Sequence, residues 1–114
     1  MLVVGAGIGG LATAIALRPT DFETVVFERA NDLKRLEVGA GITLWPNAVR
    51  ALDQLGVGEA VRARGAVLHR FEQRTQRGRL LSRWALDEMG ARLGAPVIGI
   101  NRPDLHAVLS AAGS

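Results

Sequence analysis

A chain of 114 residues, 48% hydrophobic and 22% charged, is long enough to bury one core and is globular rather than disordered or fibrous. It has no cysteine, which excludes disulfides, thiolate metal sites and a cysteine nucleophile, and suits a reducing cytoplasm. Its net charge of +3 rests on thirteen arginines and the single Lys34, and eight of those arginines lie between Arg62 and Arg92.

The elements follow in chain order. The run LVV at residues 2–4 is apolar, β-branched and ends at Gly5, which predicts a buried strand. Residues 8–18 are rich in Ala and Leu, carry small side chains at Gly9, Ala12 and Ala16 along one side, and stop before Pro19. This predicts a helix packed closely on something flat. An export signal would need a positive region ahead of its apolar core, and a signal helix would not concentrate glycines between Gly5 and Gly10. No other stretch approaches the roughly 18 apolar residues of a membrane span, so a soluble, cytoplasmic protein is expected.

The segment ETVVFE at residues 23–28 predicts a second strand, its apolar centre implying burial on both faces. Strand, helix and strand together make a βαβ unit. A polar connection with Gly39 and Gly41 follows, then a helix start at Pro46 and Asn47, an apolar stripe of Ala48, Leu52 and Leu55, and an end at Gly56 and Gly58. Residues 66–86 partly alternate and predict a β-hairpin turning at Arg77 and Gly78, with Asp87 and Glu88 as a charged turn after it. The stretch APVIGIN predicts a short strand, and Asn101 a cap for a helix that begins near Arg102. The arginine-rich stretch from Arg62 to Arg92 offers only Phe71 and Trp84 for stacking, so it reads as a solvated face rather than a nucleic-acid surface.

Chemistry enters with the spacing Gly5-x-Gly7-x-x-Gly10 in the turn between the first strand and helix. The first glycine permits the tight turn, the second lets backbone approach a pyrophosphate, and the third lets the helix pack against the strand. Free N–H groups at the helix start bind the phosphate oxygens. Glu28 falls at the end of the second strand, where a carboxylate accepts hydrogen bonds from ribose hydroxyls and disfavours a 2′-phosphate. Together these features predict a dinucleotide site. His69 and His106 have no evident acid or nucleophile partner in the sequence and read as packing or surface residues, with no metal expected. Trp45 and Trp84 read as partly buried fillers, Trp45 beside the cofactor cleft. No acid/base pair is evident at Asp87 and Glu88, and no catalytic residue is assigned.

VVGAGIGGLATAIAL, FERA, EVGAGITLWPNAVRALDQLGVGEAV and NRPDLHAVL, taken in order, resemble the N-terminal motifs of the single-component FAD-dependent aromatic hydroxylases, the family of salicylate and para-hydroxybenzoate hydroxylases. The likeness runs from Leu2 to about Leu109. It implies an incomplete α/β, Rossmann-like βαβ FAD-binding fold with a β-hairpin insertion, residues 1–114 forming part of an FAD-binding domain without the substrate domain. It also implies that Gly5, Gly7, Gly9 and Gly10 line the FAD pyrophosphate, that Glu28 binds the adenosine ribose with Arg29 beside the adenine, and that Ala40 and Gly41 run close to the flavin. Arg102 matches an arginine of the family that reaches FAD; in the first turn of a helix a cation is otherwise disfavoured by the dipole. For the complete parent enzyme the resemblance implies a monooxygenase that uses NAD(P)H and dioxygen to hydroxylate a small aromatic substrate, with no turnover expected from this chain alone. The alternatives are a piece of another FAD- or NAD-dependent oxidoreductase with the same βαβ unit, against which GAGITLWPNA argues, and a truncated, non-catalytic nucleotide-binding protein.

Overall fold

In the computed structural model, residues 1–29 and 40–113 are described. The elements run β1 (Leu2–Val4), α1 (Ile8–Leu17), β2 (Val25–Phe27), β3 (Gly41–Leu44), α2 (Pro46–Gln54), α3 (Gly58–Arg64), β4 (Ala66–Leu68), β5 (Arg70–Arg74), β6 (Leu80–Ala85), α4 (Leu86–Leu93), β7 (Val97–Asn101) and α5 (Arg102–Gly113). The expected βαβ unit is present: β1 and β2 pair in parallel, Val3 opposite Val26, with α1 between them in sequence. The polar connection expected after Glu28, including Gly39, lies almost wholly outside the described residues.

The core is built elsewhere. β7 is the central strand of an antiparallel sheet ordered β3-β7-β4, and Val97, Ile98 and Ile100 on it are buried. Around them pack Val49 and Leu52 of α2, Val61 of α3, and Leu105, Val108 and Leu109 of α5. α5 also runs along α1, whose Leu11 and Ile15 join the same core. An arginine of the α1 end, Arg18, donates to the Ala112 carbonyl and fastens the far ends of the two helices. The buried residues of α1 are therefore its large side chains; Gly9 and Ala16 of the expected small-residue face are exposed.

Burial on both faces of β2 does not hold. Val26 is half-buried against the core, but Phe27 is 53% exposed, and on β1 Leu2 and Val4 are 69% and 88% exposed. One face of the parallel pair thus rests on the helices, and the other carries bare apolar side chains. A strand alternates its side chains between faces, so a two-stranded sheet with one layer of helices buries every second residue.

Three further differences have local causes. The helix expected to end at Gly56 and Gly58 stops at Gln54, and Gly58 instead begins a second one, α3. Glycine reads as a stop, yet Gly58 is buried, and a Cβ there would lie 1.7 Å from Asp53 Oδ1 and 2.8 Å from Arg62 Nη1. The small residue leaves room for a two-pronged pair in which Arg62 donates to Asp53 at 2.6 and 3.1 Å, joining α3 to α2 and holding the Asp53 carboxyl below its ordinary range. The hairpin is confined to β5 and β6, with its turn at Gly78 as expected, because β4 pairs with β7 instead. Asp87 and Glu88 form the first turn of α4 rather than a loop, where acidic side chains complement the helix dipole.

Arg70, Arg74 and Arg83 all converge on Glu72 within 2.9–3.1 Å. The hydrogen bond from Arg74, then the charges of the other arginines, hold Glu72 below the usual carboxylate range. Trp84 lies half-exposed across the hairpin against Phe71, ring centroids 5.6 Å apart. The hairpin's basic charge is thus partly neutralised from within.

Candidate functional site

The turn after β1 is shaped by two glycines. Gly5 has φ +100°, a conformation that a residue with a Cβ rarely adopts. Its N–H donates to the Phe27 carbonyl at 2.6 Å, which ties the turn to the end of β2. Gly10 faces it from the first turn of α1, and a Cβ on Gly10 would stand 1.9 Å from the Gly5 carbonyl oxygen. Helix and turn can meet only because Gly10 has no side chain.

Gly7, the residue before α1, and Gly9 differ: a Cβ on either would meet nothing within 4 Å. Gly7 opens onto a groove of about 580 Å³ lined by Val4, Gly5, Gly7, Phe27, Glu28 and Arg29. The groove sits at the carboxyl ends of both parallel strands, the place where open α/β sheets bind ligands. Gly9 is exposed on the helix and does not line it.

Glu28 reaches back across the turn, and its Oε2 accepts a hydrogen bond of 2.8 Å from the Ala6 N–H. The carboxylate therefore stands at the rim of the glycine turn. Arg29 is exposed on the same groove.

The other predicted residues gather at the start of α5. Arg102 is its first residue and donates its backbone N–H to the Ala40 carbonyl at 3.0 Å; Gly41 pairs with the preceding Asn101. Gly41 lines a different groove, of about 410 Å³, with Gly65, Gly99 and Asn101 among its walls. Helix α5 connects the two groups. One turn beyond Arg102, His106 is 2% exposed, and its Nε2 lies 2.8 Å from the Ala6 carbonyl oxygen. Residues four apart share a helix face about 6 Å apart along the axis, so Arg102 stands on the side of α5 that meets the glycine turn. Trp45, at the start of α2, does not line the groove of Gly5 and Glu28.

Two contacts escaped sequence reading. His69, expected to lack an acid partner, has Nδ1 2.8 Å from Asp87 Oδ1 at the exposed junction of hairpin and α4. His106 is buried as a packing residue would be, yet it touches the backbone of the glycine turn. A histidine between the buried Leu105 and Val108 on an otherwise apolar helix face was the available signal, because a buried polar ring needs a partner. Among the described residues there is no cluster of three or more potential metal-ligating side chains, and no helix is long and apolar enough to cross a membrane.

The donor set fits a dinucleotide. The cradle at Gly7 is open where a Cβ would intrude, an acid stands at one end, and the cationic side chain of Arg29 lines it.

Comparison with known proteins agrees. Residues 3–33 match the NAD(P)-binding Rossmann-like domain. The chain is 40% identical over 109 residues to the aurachin C monooxygenase/isomerase of Stigmatella aurantiaca, covering 96% of this chain and 28% of that protein. It is 40% identical over 114 residues to the 3-hydroxybenzoate 6-hydroxylase of Polaromonas naphthalenivorans, covering 96% of this chain and 27% of that one. Its fold matches a Klebsiella pneumoniae crystal structure complexed with FAD and uric acid, with TM-score 0.86 and 27% identity, over 99% of this chain and 28% of the other. The chain thus spans little more than a quarter of the length of the relatives it matches. In sequence and in fold it corresponds to an N-terminal portion of the FAD-dependent aromatic hydroxylases.

Proposed function

We propose that this chain binds the ADP half of FAD at the turn between β1 and α1, as a single cofactor-binding unit of a flavin-dependent monooxygenase. The observation that carries the reading is the turn itself: Gly5 and Gly10 in mutual contact, Gly7 open to the groove, and Glu28 held against Ala6. In this reading the N–H groups at the start of α1 bind the pyrophosphate, aided by the helix dipole. Glu28 exchanges its bond to Ala6 for one to the adenosine ribose, and Arg29 lies beside the adenine. Gly9 leaves the outer side of the turn clear, and Gly10 keeps it in register. Arg102 supplies positive charge from α5, and Ala40 with Gly41 lets the backbone pass close to the flavin end.

When bound, FAD supplies the redox chemistry, taking electrons from NAD(P)H and using dioxygen to hydroxylate a small aromatic ring in the whole protein. The residues described here hold and orient the cofactor; none is assigned as a catalytic base. Nucleic acid has no part in this reading, since three of the hairpin arginines are engaged by Glu72. A cytoplasmic location belongs to it, because NAD(P)H is found there.

The test is a visible spectrum of the purified chain followed by titration with FAD. Bound flavin, or saturable quenching of flavin fluorescence, is the expected result. A colourless chain that takes up no added FAD refutes the proposal.

A further inference from the structure

We infer that His106 is a positioning residue that aims the Gly7 N–H at the ligand's pyrophosphate, an inference that rests on the nucleotide reading above. The geometry starts from the Ala6 carbonyl, 2.8 Å from His106 Nε2. A carbonyl oxygen only accepts hydrogen bonds, so Nε2 carries the proton and donates. The Ala6–Gly7 peptide is trans, as are all described peptide bonds, so its C=O and the Gly7 N–H point in opposite directions. His106 is buried and holds the carbonyl inward; the Gly7 N–H is thereby turned outward, on the side where Gly7 lines the groove.

The neighbouring peptide is fixed as well. Its N–H, on Ala6, is held by Glu28, and its carbonyl, on Gly5, is packed against Gly10. Two consecutive peptide planes are thus set by Glu28 just after β2, by Gly10 of α1 and by His106 of α5, before any ligand arrives.

Packing alone does not explain the imidazole. His106 Nδ1 is buried and has no hydrogen-bond partner among the described residues. An orphaned buried nitrogen is destabilising, and a leucine would fill an apolar helix face without that penalty. What leucine cannot do is donate to the Ala6 carbonyl. What the ring adds is its Nε2–H, and that bond acts on the orientation of the turn.

The 114-residue chain and its H106L and H106Q variants are titrated calorimetrically with ADP, with adenosine and with FAD. Loss of one aimed N–H to a phosphate should weaken ADP and FAD by about tenfold in H106L while adenosine stays within about twofold. H106Q, whose amide N–H can reach the same carbonyl, should recover most of the loss. If H106L does not fold, H106N takes its place, since its shorter amide cannot put a donor where Nε2 stands. Unchanged ADP affinity overturns the role of His106 alone, as does an equal loss for adenosine and ADP that H106Q does not restore. A wild-type chain that binds neither ADP nor FAD overturns the nucleotide reading, and this inference with it.

Discussion

Adding one methyl group at Gly10 sets two effects against each other. Alanine is the better helix former by up to about 1 kcal/mol, and Gly10 lies in the first turn of α1. The new Cβ, however, would stand 1.9 Å from the Gly5 carbonyl oxygen and 3.0 Å from its carbon, against 3.4 Å for ordinary contact. Both neighbours are backbone, and Gly5 is held to Phe27 by its own N–H at 2.6 Å, so the turn cannot swing aside alone. Overpacking of this kind costs about 1–3 kcal/mol, and a gap this short belongs at the upper end. After the propensity gain, Gly10→Ala should lose about 2 kcal/mol, or roughly 8 °C in Tm for a domain of this size. Gly9→Ala is the internal control: its Cβ meets nothing within 4 Å, so it should gain up to about 0.5 kcal/mol. Thermal and urea unfolding of both variants, in the absence of ligand, decide the matter. If Gly10→Ala is as stable as the wild type, or if the two shifts share a sign, the proposed contact between Gly5 and Gly10 is wrong.

Other perturbations separate stability from binding. Glu28→Ala leaves the Ala6 N–H without its acceptor and should cost about 1–3 kcal/mol in urea unfolding, whereas Glu28→Gln keeps an acceptor there and should cost less while still weakening FAD. Arg102→Gln should weaken FAD about tenfold yet raise the stability of the free chain by a few tenths of a kcal/mol, because it removes a cation from a helix N-terminus; lower stability in the free chain would contradict the placement. Asp53 is held below its ordinary range by Arg62, so the pair stabilises the fold above about pH 4 and loses that contribution as pH falls through the lowered native value. Being exposed, it is worth only a few tenths of a kcal/mol; the wild type and Asp53→Asn should differ slightly at pH 7 and converge near pH 2 in urea unfolding.

The parts legible in the sequence were those whose cause is local. Gly5 and Gly10 announce a turn because their spacing is itself the geometric requirement, and Pro46 marks a helix start because its ring fixes φ. The parts that escaped depend on residues far apart in the chain. Nothing within β4 says that it pairs with β7 some 30 positions away rather than extending the hairpin next to it. Gly58 reads as a stop until the Asp53 and Arg62 side chains that occupy its missing Cβ are in place. Asp87 and Glu88 did carry a local signal, acids at a helix start, which the turn reading passed over. Within the site, Gly5, Gly7 and Glu28 could be placed from spacing, whereas His106 could not, since its partner Ala6 is 100 residues away.

That separation has a consequence for assembly. Strands β1 and β2 with helix α1 can form early from neighbouring sequence, but the turn between them stays unlatched until α5 docks. Closing a contact across 100 residues is slow compared with local helix and turn formation. The turn should therefore latch late in folding, and on the proposed function a nucleotide that needs the latched turn acts as a clamp on the whole chain. Its binding should protect the amides of α5 from hydrogen exchange as strongly as those of the turn it touches.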